Sequence, residues 1–145
     1  MASLSYYWQN TIIDYLLRGQ TYTPPTTLYI ALFTVAPTQA GGGTEVSGGS
    51  YARASYAASL TDWAGTQGAG TTAASTGTSG STSNNVAITF PTPTASWGSI
   101  VSAALMDAAT GGDFLLVGSL VSPKTVNDGD PAPTFPIGSI TWTLA

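Results

Sequence analysis

The stretch Thr27-Leu28-Tyr29-Ile30-Ala31-Leu32-Phe33-Thr34-Val35 decides the fold. Its side chains alternate with a period of two, so Leu28, Ile30 and Leu32 point one way and Tyr29, Ala31 and Phe33 the other. Both sets are apolar. A strand with two apolar faces belongs in the middle of a sheet or is covered on both sides. Pro37 ends it, because proline has no N–H to give to a ladder. Upstream, Pro24-Pro25 forces an extended connection.

Before that connection the period is different. Leu4, Trp8, Ile12 and Leu16 recur every fourth residue, and Ile13 and Leu17 widen the stripe, as on one side of a helix. Ser3 or Ser5 suits the cap, Arg18 suits the negative end of the dipole, and Gly19 suits the left-handed residue beyond it. The pattern predicts a helix over 4–18. Such a stripe either covers the protein's own sheet, the commoner arrangement, or docks onto another subunit.

Downstream, Gly41-Gly42-Gly43 and Gly48-Gly49 make a flexible loop around Glu45. No Gly-Lys-Ser/Thr follows, so it is not a phosphate cradle. Ser50–Leu60 reads as a strand diluted by alanine. Residues 64–84 contain only Ala, Gly, Thr, Ser, Gln and Asn, which have little to bury against a high ordering cost. The expectation is a long loop, mobile in isolation. Short strands then return at Val86–Phe90, Ser99–Met106, Phe114–Val121 and Ile137–Leu144, separated by Gly, Pro, Asn and Asp turns. The chain is expected to form a single domain over 1–145, mainly β. Its N-terminal α-helix is followed over 27–145 by an antiparallel β-sandwich of six to seven short strands.

Composition narrows the function. The 145 residues include three basic and seven acidic side chains, a charged share of 7%, with no histidine and no cysteine. A soluble domain carries about 25%. Neutral hydroxyls replace the charges: 23 threonines and 16 serines. Arg18, Arg53 and Lys124 cannot form the basic patch that nucleic-acid binding needs. Without histidine or cysteine there is no Ser-His-Asp triad, zinc finger or disulfide framework. No positively charged leader precedes an apolar run, and no run nears the roughly 18 residues of a membrane span. The expectation is synthesis and folding in the cytoplasm, with no membrane partner.

Few residues invite chemistry. Asp107 with Asp113, and Asp128 with Asp130, can be read as paired acids or as a structural calcium site. Both pairs lie where aspartate is favoured by turn conformation, and neither has the closing glutamate of an EF-hand. Lys124 follows Pro123 at a strand boundary without a partnering serine motif. No catalytic, metal or cofactor residue is assigned, and the chain is expected not to be an enzyme. The candidate interface residues are Leu4, Trp8, Ile12 and Leu16 of the stripe, with Trp63 and Trp97 beside apparent loops. A tryptophan there is an interface anchor if exposed and ordinary core if buried. Residues 63–106 carry no charge at all, which marks that half as a contact surface cheap to desolvate.

Several stretches carry a family resemblance: Leu28-Tyr29-Ile30-Ala31-Leu32-Phe33-Thr34, Gly41-Gly42-Gly43-Thr44-Glu45-Val46-Ser47-Gly48-Gly49, Ala95-Ser96-Trp97-Gly98 and Asp107-Ala108-Ala109-Thr110-Gly111-Gly112. Together they resemble a family of small proteins of tailed bacteriophages and prophages, usually labelled tail-fibre-like. Similar small β-sandwich proteins serve as capsid decoration, or cement, proteins. The resemblance implies a non-enzymatic virion structural protein, assembled in the bacterial host cytoplasm and using no cofactor. The leading expectation is a capsid decoration protein that stabilises the shell of the major capsid protein, because the chain is short and lacks a repetitive shaft. The alternative is a tail-associated or tail-fibre protein contacting the host surface. Partners are then the major capsid protein or other virion proteins, and homo-oligomers are usual in that class.

Overall fold

The computed structural model describes residues 2–144. The alternating stretch forms β2 (Thr27–Val35), and it is central as its two apolar faces require. Antiparallel neighbours flank it: β7 (Gly98–Met106) on one side, and β3 (Thr44–Glu45) and β4 (Ala54–Ala57) on the other. β7 pairs with β8 (Phe114–Val126), which pairs with the edge strand β1 (Ala2–Leu4). The result is a six-stranded antiparallel sheet in the order β1-β8-β7-β2-β3, with β4 also on β2.

Ile30 and Leu32 point to the larger core, where they meet Ile100, Ala103, Leu105, Leu116, Phe90 and Trp142. Ala31 and Phe33 point the other way, into a smaller cluster with Ala104, Met106 and Val117. The larger core is closed by two short ribbons instead of a second full sheet. β5 (Ser81–Ser83) pairs with β10 (Thr141–Thr143), and β6 (Ile88–Thr89) with β9 (Thr134–Phe135). The mainly β, antiparallel architecture behind an N-terminal helix is therefore as the sequence indicates, with a second layer that is sparser than expected.

Two differences have clear physical causes. The helix, α1, runs Tyr6–Leu17 instead of 4–18. Leu4 belongs to β1, opposite Leu116, because Ser5 stops the helix there. Its backbone is extended and its hydroxyl oxygen accepts the Trp8 N–H at 3.0 Å. The chain before the cap gains ladder bonds on the free edge of β8. Second, β8 runs on to Val126 across a wide bulge. Between the pairs Ile100–Lys124 and Ser102–Ser119, β7 advances two residues and β8 five. Leu120 stays against the core while Val121 stands in solvent.

The stretch expected as a loop over 64–84 ends earlier, because 81–83 form β5 against β10, and the loop before it holds its course through hydroxyl and amide groups. Thr66 Oγ1 donates to Thr76 O at 2.7 Å, Gln67 Nε2 to Ala74 O at 2.7 Å, and Ser79 Oγ to Thr66 O at 2.8 Å. Asn85 clips the loop to the body, donating to Thr71 O at 2.9 Å and accepting from Gly70 N at 2.8 Å. A segment with little to bury is shaped by side-chain-to-backbone bonds.

Candidate interaction surface

Ser5 is fully buried and fixes the base of α1. Its N–H donates to Leu115 O at 3.0 Å and its hydroxyl donates to Phe114 O. The next residue, Tyr6, donates its N–H to Gln39 O at 2.9 Å. The side-chain amides of Gln9 and Gln39 both reach Leu4 O, each at 3.1 Å. The first turn is thus bolted to β8 and to the loop after β2.

The rest of α1 leaves the body. None of its twelve residues is buried. Trp8 packs against the core edge and tilts onto Tyr22 at a ring-centroid distance of 4.9 Å. Tyr6 and Tyr7 before it and Ile13, Tyr15, Leu16 and Leu17 beyond it are exposed, Leu16 at 68% and Leu17 at 81%. A groove of about 520 Å³ runs beside the helix, lined by Trp8, Ile12, Tyr15, Leu16, Tyr22 and Pro24. Asp14 and Arg18 form an exposed pair at 3.0 Å. Arg18 N–H closes the helix on Asp14 O, and Gly19 follows with φ of 66°. Apolar side chains on this much of a helix normally lie against another element, and this chain supplies little cover.

The six candidate interface residues therefore separate. Leu4 and Trp8 meet the core margin, while Ile12 and Leu16 line the groove with Trp8. Trp97 is only 4% exposed, stands edge-on to Tyr51 at 5.3 Å and donates Nε1–H to Gly49 O at 2.9 Å. Of the two roles open to it, it fills that of core. Trp63 is half-buried against the same core, in a bridge to Asn84. Exposed Ile13, Leu17 and Tyr6 were not among those candidates. The signal for them was the width of the apolar arc, which exceeds the single stripe.

The aspartates act in turns. Asp107 Oδ1 accepts the Asp113 N–H at 2.7 Å, and Asp130 Oδ2 accepts the Asn127 N–H at 2.7 Å. Among the described residues, no three of His, Cys, Asp and Glu gather into a metal-binding group. Lys124 lies exposed on β8, opposite Ile100.

Beyond this geometry, sequence comparison decides the family. A family model described as Podophage GP4 fiber I protein gp80 matches residues 3–143. The chain belongs to this phage fibre family. A search of curated proteins gives no match. The match spans every strand and the helix except the first residue of β1, so α1 is part of the family's own extent and not an appendage. As a member of this fibre family the chain is a phage virion protein, and the resemblance read from the glycine-rich and Trp97 stretches is to the right group.

Proposed function

We propose that the chain is a non-enzymatic structural component of the tail-fibre apparatus of a tailed bacteriophage, held in the particle by contacts to other virion proteins. The family match over 3–143 carries this reading, because the family is described by a podophage fibre protein. It supports the tail-fibre alternative over capsid decoration. The surface supports a contact role: an exposed apolar helix, and a long loop of hydroxyls, amides and glycines without charge. Burying such groups against a neighbour costs far less than burying ions.

Quantitative protein stoichiometry of purified particles tests the placement, together with gold-labelled antibody in electron micrographs. A fibre component appears in a handful to a few dozen copies, with label at the tail. Hundreds of copies in proportion to the capsid protein, with label over the head, would overturn it.

A further inference from the structure

We propose that the free edge of β10 receives an extended, uncharged arm of another virion protein, which adds to it as a further strand in the cleft between β10 and β8. The two layers touch at Gly118, where a Cβ would lie 3.3 Å from the Trp142 ring. Beyond it they part around a cleft of about 390 Å³. Ser119, Leu120 and Val121 of β8 form one wall, and residues 139–143, with Phe135, form the other. The wall at β10 carries unused main-chain groups. In the pairing with β5, Leu144 N–H donates to Gly80 O at 2.9 Å and Ile140 O accepts the Asn84 N–H at 3.3 Å. Main-chain groups alternate sides along an antiparallel strand, so those of Ile140, Trp142 and Leu144 face β5 and those of Thr141 and Thr143 face away. Both threonines line the cleft, and among the described residues neither has a main-chain partner on that side. The opposite wall is open too. β1 covers β8 only at Leu116–Gly118, Leu120–Pro123 have no partner in the β7 register, and the Val121 side chain stands wholly in solvent.

These observations select the occupant. A row of free N–H and C=O groups is matched by another main chain in extended form. Every side chain around the cleft is uncharged, so an ion brought into it would lose its hydration without a counter-charge. Leu120, Phe135 and Ile140 suit an apolar side chain at every second position of the arm. A folded copy of this chain would bring a second strand beside its own edge strand, where β8 already stands. The inference rests on the proposed contact role, but not on the fibre placement: it holds wherever in the particle the protein sits.

Photocrosslinking in purified particles and an edge-blocking variant test it. With benzoylphenylalanine in place of Val121, irradiated particles are expected to yield an adduct between this chain and an uncharged segment of one other virion protein, located by mass spectrometry. Thr141→Pro removes the outward N–H and keeps the bonds to β5, because proline is tolerated on a free strand edge. Its purified chain is expected to keep the wild-type circular dichroism and melting temperature. Its copy number in particles should fall about tenfold or more, the effect of one lost bond and one stranded carbonyl. Thr141→Val keeps the N–H and should be incorporated like the wild type. Wild-type incorporation of Thr141→Pro would overturn the inference. So would adducts confined to copies of this chain, or no adduct in particles that contain it. If Thr141→Pro lowers the melting temperature, the presence or absence of the adduct decides. An adduct to the major capsid protein would support the inference while overturning the fibre placement.

Discussion

Arg53 and Glu45 meet fork to fork. Nε donates to Oε1 and Nη2 to Oε2, both at 2.8 Å. The Arg53 side chain is only 6% exposed. Its Nη1 donates to Ala108 O at 2.7 Å and to Gly111 O at 2.8 Å. One guanidinium thereby ties β3 to the turn between β7 and β8. The hydrogen bonds to Glu45 hold its pKa above the ordinary arginine value, against the opposing effect of burial. Tyr51 completes the group: its hydroxyl donates to Glu45 Oε1 at 3.1 Å and accepts the Leu32 N–H at 2.9 Å.

Removing the guanidinium leaves a half-buried carboxylate without its counter-ion and two carbonyls without their donor. Arg53→Met is expected to cost about 3 kcal/mol, read from the urea midpoint. Arg53→Lys keeps the charge but loses the planar fork, so it should recover less than half of the loss. A cost below about 1 kcal/mol for Arg53→Met would show that the pair contributes little beyond its hydration in the unfolded chain.

Tyr51 gives this group a pH signature. Burial, ahead of the nearby Glu45 charge, raises its phenol above the usual value near 10. Above pH 10 the unfolded chain loses this proton while the folded chain keeps it. The folded state then binds more protons, and stability falls as pH rises. Below pH 10 both states are neutral and the residue adds no slope. Between pH 10 and 11.5, the urea midpoint of Tyr51→Phe is therefore expected to decline less steeply than that of the wild type. Parallel curves would contradict it.

The glycine-rich loop separates backbone strain from crowding. Gly42 and Gly43 both have positive φ, 80° and 78°. A Cβ on Gly42 meets nothing within 4 Å, whereas on Gly43 it would sit 2.5 Å from Val35 O and 2.8 Å from Pro37 N. Gly42→Ala should cost only the left-handed penalty, about 1 kcal/mol. Gly43→Ala must also displace the backbone where β2 ends, and should cost at least about 2 kcal/mol more. Equal midpoints for the two variants would mean that this loop yields freely.

What was legible in the residues follows from how local each signal is. The two-faced alternation of β2 needs no knowledge of its partners, and it placed that strand in the middle of the sheet. The spacing of Trp8, Ile12 and Leu16 likewise announced a helix. Ser5 could be seen as a cap, but only the free edge of β8 explains why Leu4 lies before the helix in a strand. The bulge at 120–123 leaves no mark in periodicity, since β8 simply resumes with Lys124 opposite Ile100. The pairing of Arg53 with Glu45 spans eight residues and a loop, and its further reach to Ala108 and Gly111 is tertiary. For the surface, apolar spacing identified the helix. Whether the helix covers its own sheet was beyond periodicity, because the ribbons that close the core come from residues 81–89 and 134–143.

Two buried tryptophans differ in one bond, and that difference is measurable. Trp97 Nε1–H donates to Gly49 O at 2.9 Å. Trp142 is as deeply buried, but among the described residues its Nε1–H has no partner. Trp→Phe removes comparable apolar surface at both sites. At position 97 it also deletes a made hydrogen bond, worth about 1 kcal/mol. At position 142 it deletes an unsatisfied donor whose burial costs about 1–3 kcal/mol, which offsets part of the lost packing. Trp97→Phe is therefore expected to destabilise the fold by about 2 kcal/mol more than Trp142→Phe, compared by urea unfolding at one pH. An equal or larger loss for Trp142→Phe would mean that a buried water satisfies that indole, and high-resolution density beside Nε1 would reveal it.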